Sequence, residues 1–400
     1  MSDVAERLGE LRESGLHRRL RLVEGAQGPR VQLDGRPVLL LCSNDYLGLA
    51  GDRRVREAAA EAALGWGAGA GAARLISGNM TPHLRLEERL AAFKGHESAL
   101  LFGSGYLANL GAISALADRG GVVFSDELNH ASIVDGCRLA RARTFVYRHG
   151  DVEHLAWGLE QARGCASLIV TDGLFSMDGD VAPLGDLARL ARDHDCRLMV
   201  DEAHATGALG PGGRGAVAAA GLSEEVDLVM GTLGKALGSY GAYVCVGAGL
   251  RELLINTARS FIFSTALPPP VLAAASMALE LLEAEPGMVG RLSANATALR
   301  EALAAEGLPA TGSQSQIVPL AVGDAGRTME LCERLLERGV FAQGIRPPTV
   351  PPGSSRLRFS VMATHEASEL REAARLTGDA AREIGLLDPS RLSGSLATAA

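Results

Sequence analysis

Between residues 98 and 246 short apolar runs alternate with stretches of helical periodicity, and this alternation restricts the fold of the 400-residue chain more than any other feature. Short apolar runs bounded by turn residues read as strands buried on both faces. Parallel strands in turn need crossovers of a dozen or more residues, which the helical stretches supply. Strands are expected at 99–102, 122–125, 144–147, 167–171, 197–201, 228–231 and 242–246. Helices fit at 81–94, 106–117, 131–141 and 183–193. The expected fold class is α/β, with one large, mostly parallel seven-stranded sheet covered on both faces.

A chain of this length exceeds what one core usually supports, so a second unit is expected. After Pro268-Pro269-Pro270 come a long helical stretch, strand candidates at 316–322 and 356–361, and a helix at 328–338 between them. These describe a smaller α+β domain over 286–385, joined by the helix and strands of 1–50, with 51–285 forming the large domain. The small and polar residues of 386–400 read as a disordered tail.

The net charge is -8, with 22% charged and 47% hydrophobic residues, a balance that offers nothing to nucleic acid. The N-terminus alternates acids and bases and lacks an apolar signal core, and no apolar run is long enough to span a bilayer. A cytoplasmic protein is expected. The six cysteines are scattered without C-x-x-C spacing and read as reduced core residues. Neither they nor the histidines show metal-ligand spacing, so no metal is expected.

The chain holds only two lysines, Lys94 and Lys235. Lys235 stands in Gly231-Thr232-Leu233-Gly234-Lys235-Ala236-Leu237-Gly238, directly after an apolar run. A lysine in such a turn is partly desolvated, which lowers its pKa and frees the amine as a nucleophile able to form a Schiff base. Lys94 precedes Gly95 and reads as an ordinary residue at a glycine-capped helix end. A nucleotide P-loop is excluded, because Ala236 stands where magnesium would need Ser or Thr.

Asp201 closes a strand, and His204 follows three residues later in Asp201-Glu202-Ala203-His204. An acid at a strand C-terminus can hold the protonated nitrogen of a pyridine ring, making that ring an electron sink, and His204 can reach its phenolic oxygen. Pyridoxal 5'-phosphate is the cofactor these groups suit. The turn Gly103-Ser104-Gly105-Tyr106 leads from strand into helix and offers backbone N–H groups to a phosphate, with Gly105 and Tyr106 as the contacts. His130, opening a helix just beyond a strand, could lie on the cofactor ring, and Ser176 could share the phenolic oxygen with His204. The glycines of 67–72 resemble a dinucleotide fingerprint but follow a helical stretch instead of a strand, which argues against NAD.

Taken in order, these segments resemble the α-oxoamine synthases among the fold-type I pyridoxal-phosphate enzymes. The likeness runs from Ser43-Asn44-Asp45-Tyr46-Leu47-Gly48 through Asn129-His130-Ala131-Ser132, Phe175-Ser176-Met177-Asp178-Gly179-Asp180, Asp201 to His204, the Lys235 turn and Phe263-Ser264-Thr265 to Arg356-Leu357-Arg358. It implies a Schiff base at Lys235, which would also act as base, Asp201 on the ring nitrogen, His130 stacked on the ring, and Ser176 and His204 at the phenolic oxygen. Gly105, Tyr106 and Thr232 would hold phosphate, joined by Thr265 from a second subunit, since such enzymes are homodimers with shared sites. Asn44 and Arg358 would take the substrate carboxylate.

The reaction implied is the decarboxylative condensation of an amino acid with an acyl thioester, carried on coenzyme A or on an acyl carrier protein. The segments IRPPTVPPG at 345–353, which contains Thr349, and RLISGN at 74–79 resemble the branch that joins L-alanine to a pimeloyl thioester. There Arg18 and Thr349 would meet the acyl substrate, although Arg19 and Arg21 compete for the place of Arg18. The segments 125–133 and 231–238 resemble equally the branch that joins glycine to acetyl-CoA. A non-catalytic relative would be expected to lack Lys235, Asp201 or His204, and all three are present.

Overall fold

The structure, a computed structural model, describes residues 3–387 apart from Asp118 and Thr311, so the expected tail lies outside the described residues from position 388 onward. The chain forms two compact units. Among the described residues, the larger takes Leu49–Ser176 and Asp180–Val289, and the smaller takes residues 3–48, Met177–Gly179 and 290–387.

The larger unit is built on seven strands: β1 (Ser98–Phe102), β2 (Val122–Asp126), β3 (Arg143–Tyr147), β4 (Ser167–Asp172), β5 (Arg197–Asp201), β6 (Leu228–Thr232) and β7 (Ala242–Val246). Their order is β1-β7-β6-β5-β4-β2-β3. The mixed sheet is parallel from β3 to β6, while β7 runs antiparallel to both neighbours, β6 and β1. Because β7 reverses between them, β1 and β6 point the same way. Residues of β2, β4, β5, β6 and β7 are almost wholly buried, as a sheet covered on both faces requires.

Helices α1 (Arg53–Trp66), α2 (Thr81–Lys94), α3 (Gly105–Leu116), α4 (Ala131–Ala140), α5 (Val152–Gln161) and α6 (Leu184–Asp193) belong to the same unit. Helix α5 goes beyond the sequence expectation; Asp151 caps it, its carboxylate accepting from His154 N at 2.8 Å. Residues Ala108, Ala112 and Ile113 of α3 pack with Ile133 and Cys137 of α4 and with Val123, Val170, Met199 and Met230 from four strands. The site helix α3 is thereby fixed to the sheet by continuous apolar packing.

In the smaller unit Val23–Glu24, Arg30–Leu33 and Arg36–Leu40 form antiparallel pairs, and Val340–Phe341 joins the last of them in parallel. A three-stranded sheet pairs Ser355–Ser360 with both Ile317–Gly323 and Gln343–Ile345. Helices Ala325–Glu337 and Ala367–Glu383 bury one face each in this unit. The strands and the helix expected here thus form with bounds shifted by one to three residues. None of the six cysteines is in a disulfide; Cys137, Cys245 and Cys332 are buried and the other three half-buried.

Candidate active site

Strands β1, β2, β4, β5 and β6 end at one edge of the sheet, and each is followed by a residue singled out in the sequence. This is the carboxyl edge at which open α/β sheets place ligands. At the end of β5, Asp201 is 3% exposed; its Oδ1 accepts from Ala203 N and its Oδ2 from Asn109 Nδ2, both at 2.8 Å. After β6, Lys235 Nζ lies 2.8 Å from His204 Nε2. The Lys235 turn closes with Gly238 N donating to Lys235 O at 2.9 Å. Gly238 has φ +58°, and a Cβ there would meet Ala50 N at 2.3 Å, so this position requires glycine.

Asn109 and Ser132 connect two of the expected groups. Asn109 Nδ2 donates to Asp201 Oδ2 and to Ser132 Oγ, each at 2.8 Å, and the Ser132 hydroxyl lies 2.7 Å from His130 Nδ1, which also accepts from Ser132 N. Nδ1 therefore acts as an acceptor, and this fixes the imidazole orientation. Burial lowers the His130 pKa; the Asp201 carboxylate opposes that shift and the Lys235 ammonium adds to it. The shift favours the neutral ring.

Asp172, at the end of β4, stands opposite Asp201 in register, and its Oδ2 accepts from His130 N at 2.7 Å. Burial, and then the neighbouring Asp201 charge, raise its pKa well above the usual carboxylate range. Two adjacent buried carboxylates are held more cheaply with one proton between them than with none. Asp172, Asn109 and Ser132 were not selected from sequence as site residues; the local signal for each is a polar residue beside or within an apolar run.

The turn read as a phosphate contact leads from β1 into α3. Ser104 caps α3, its Oγ accepting from Leu107 N at 3.2 Å, and Gly105 and Tyr106 open the helix. The Tyr106 hydroxyl is bonded to the Asp135 carboxylate, so a phosphate would meet Tyr106 through its backbone N–H. The Thr232 hydroxyl donates to Gly241 O at 3.1 Å and accepts from Gly234 N at 3.1 Å, so it also closes the Lys235 turn. Thr265 pairs with Ala73.

Lys94 differs from its sequence reading. It ends α2 beside Gly95, which has φ +73°, but its side chain is 2% exposed and paired with Glu202. A helix end predicts a cap and cannot predict what the side chain meets across the sheet.

Ser176 follows β4 in a loop steadied by His149. His149 Nδ1 and Nε2 donate to Asp126 Oδ1 at 3.0 Å and Asp180 Oδ2 at 2.9 Å, and the Phe175 ring stands edge-on at 4.5 Å. The Asp126 and Asp180 carboxylates hold the imidazolium, raising its pKa to about 10. His149→Ala should cost about 2 kcal/mol. A raised folded pKa gives stability that is complete below about pH 6.5 and fades as pH climbs toward about 10. Thermal unfolding of wild type and variant at pH 6, 8 and 10 checks this; a gap that widens with pH contradicts it.

In the smaller unit Asn44 and Arg358, 314 residues apart, come together: Asn44 Oδ1 accepts from the buried Tyr46 hydroxyl at 3.1 Å and lies 3.5 Å from Arg358 Nη2. Arg18 and Thr349 line one cavity of about 510 Å³ with Arg21, Phe341 and Arg346. Arg21 is engaged with Glu333 at 2.6 Å.

The residues of the larger unit fit pyridoxal 5'-phosphate. A buried carboxylate with two N–H donors keeps lone pairs for a protonated ring nitrogen. A lysine amine and a histidine stand 2.8 Å apart, a capped helix N-terminus faces the same edge, and Asn109 Oδ1 is buried without a partner among the described residues. Among those residues no group of three His, Cys, Asp or Glu side chains could hold a metal ion.

Residues 36–376 match the family model for aminotransferase class I and II. The chain is 53% identical over 390 residues to 8-amino-7-oxononanoate synthase of Citrifermentans bemidjiense, covering 97% of this chain and 100% of that one. It is 54% identical over 387 residues to the enzyme of the same name from Geobacter sulfurreducens, covering 96% and 99%. Among solved structures, serine palmitoyltransferase of S. paucimobilis with a bound PLP-myriocin aldimine superposes with TM-score 0.91 at 33% identity over 96% of this chain and 98% of that one. 8-Amino-7-oxononanoate synthase of Francisella tularensis gives 0.75 at 29% over 86% and 98%. The fold is that of the fold-type I pyridoxal-phosphate transferases. Backbone likeness spans several activities, so sequence identity decides among them. With more than half of its residues shared along nearly the whole of its relatives, the chain belongs to the 8-amino-7-oxononanoate synthases, within the class I and II aminotransferase family.

Proposed function

We propose that this pyridoxal-phosphate-dependent acyltransferase condenses L-alanine with a pimeloyl thioester, giving 8-amino-7-oxononanoate, carbon dioxide and free thiol, a step of biotin synthesis. The observation that carries the reading is the Lys235 amine 2.8 Å from His204, at the same sheet edge as buried Asp201, in a chain 53% identical to synthases of that name. When bound, the cofactor supplies the electron sink for negative charge at the amino acid α-carbon.

The chain's own groups do the rest. Lys235 Nζ would anchor the cofactor and would serve as the base for the α-proton of the amino acid. His204 beside it orients that amine and, with Ser176, donates toward the phenolic oxygen. Asp201 would hold the proton of the ring nitrogen, and the line through Asn109 and Ser132 fixes the His130 imidazole that would face the ring. Gly105, Tyr106 and Thr232 take the phosphate. Asn44 and Arg358 take the alanine carboxylate, a role suited to a guanidinium beside an amide oxygen. Arg18 and Thr349, on the 510 Å³ cavity, take the acyl substrate.

A homodimer with Thr265 reaching the partner's phosphate is part of the proposal. Ile76 is 80% and Phe263 70% exposed, on segments joined by the Ala73 and Thr265 pairing, and apolar surface of this kind invites a covering subunit. No helix among the described residues is long and apolar enough to cross a membrane; we place the enzyme in the cytoplasm.

The test measures carbon dioxide release with L-alanine plus pimeloyl-CoA or pimeloyl carrier protein, against glycine plus acetyl-CoA. The reading expects kcat/KM to favour the first pair by about 100-fold or more. A preference for the second would make the enzyme a glycine C-acetyltransferase, the reaction suggested by segments 125–133 and 231–238.

A further inference from the structure

Asp201 and His204 face the cofactor edge, yet Glu202 between them points elsewhere, because successive residues leaving a strand alternate faces. The Glu202 side chain is 0% exposed. One carboxylate oxygen accepts from Val217 N at 2.6 Å, and the other pairs with Lys94 Nζ. Lys94 also donates to Thr206 Oγ1 at 3.1 Å and to Arg214 O at 2.5 Å. Thr206 Oγ1 in turn lies 3.1 Å from the hydroxyl of Tyr243 on β7. The backbone makes room for the carboxylate: Gly215 has φ +102°, and a Cβ there would stand 2.1 Å from Glu202 Oε2. At 2% and 0% side-chain exposure, this ion pair is buried more deeply than the Arg74–Glu87 pair, at 7% and 4%.

Both ends of the pair grip the segment that carries the cofactor groups. Glu202 N donates to Met230 O at 2.7 Å, and Glu202 O accepts from Ala205 N at 3.0 Å and Thr206 N at 2.9 Å, forming a single turn with His204 inside it. Lys94 then holds the first and last residues of that turn together through their side chains. A buried ion pair contributes little net stability compared with apolar residues of equal volume, so stability alone does not account for it. What the pair does supply is a fixed direction.

We propose that Lys94 and Glu202 are positioning residues: from the far side of the sheet they set the turn that aims Asp201 and His204 at the cofactor. The inference rests on the cofactor roles proposed for those two residues. It fails separately from them, because the substitutions below leave Asp201, His204 and Lys235 intact.

The experiment compares wild type with K94M/E202Q, which removes both charges together and so leaves neither one buried alone. Thermal unfolding, the dissociation constant of pyridoxal phosphate and the pH midpoint of the visible band of the loaded enzyme are measured. The proposal expects a folded variant that binds cofactor about 10-fold more weakly and whose midpoint moves by about half a unit or more. Wild-type values of both cofactor readouts in a folded double variant overturn it. Should that variant not fold, Thr206→Val carries the test, because it keeps the pair and removes only one of the acceptors of Lys94. About 3-fold weaker binding with a displaced midpoint is then expected, and wild-type binding with an unmoved midpoint overturns the proposal.

Discussion

Replacing Lys235 by arginine lowers turnover by about 10⁴-fold or more. The substitution keeps the positive charge beside His204 but removes an amine that can lose its proton; a guanidinium stays charged at any pH the protein survives, and it forms no Schiff base. Two losses are expected together, the covalent anchor and the base that takes the α-proton. Single-turnover release of carbon dioxide measures the second. Borohydride treatment of the loaded enzyme followed by peptide mapping measures the first: in wild type the label belongs on the Lys235 peptide and in the variant nowhere. Label on the Lys94 peptide would contradict the site, as would turnover within about 100-fold of wild type. Burial and full engagement of Lys94 with Glu202, Thr206 and Arg214 are the physical reasons it cannot substitute.

Asp201→Asn separates charge from shape. The amide has nearly the same volume, and its oxygen can still accept from Asn109 Nδ2. It cannot hold a proton on the ring nitrogen by ion pairing, so stabilisation of developing carbanion charge is lost while the surrounding packing stays. Losing one preorganised electrostatic contact of this kind costs about 10²–10³-fold in kcat, and the same or a larger fall is expected here in alanine-dependent carbon dioxide release. The amide nitrogen then faces Ala203 N, which loses its acceptor, so the cofactor-free protein should also lose about 1–3 kcal/mol in thermal unfolding, too little to explain a fall in kcat of this size. Undiminished kcat in the amide variant would remove Asp201 from the mechanism.

The seven strands were legible to within about one residue at each end because strands buried on both faces read as continuous apolar runs. The reversal of β7 was not legible, since Ala242–Val246 presents the same apolar run whichever way it pairs. Lys235, Asp201 and His204 could be singled out because each lies at or within three residues of a strand end and carries a chemistry few residues share. Asn109, Ser132 and Asp172 were not. Their roles arise from hydrogen bonds that cross strands and helices, as when Asn109 reaches Asp201 from 92 positions away. The two lysines show both sides of this: a glycine turn after a strand singled out Lys235, which the structure sets 2.8 Å from His204, and a glycine cap after a helix concealed the burial of Lys94.

The position of β7 bears on how the protein is made. β1 is one of the two outermost strands, and its one neighbour in the sheet is β7. Synthesis must therefore add about 140 residues after Phe102 before β1 can be paired. At ribosomal speeds that is roughly ten seconds, during which the strand leading into the phosphate turn has unsatisfied backbone groups and an apolar face. Loop closure over such a span is slow, and the exposed edge is an aggregation hazard until it is complete. Nascent chains halted before residue 242 should need chaperones to stay in solution, and the ability to capture cofactor should appear only after β7 has left the ribosome.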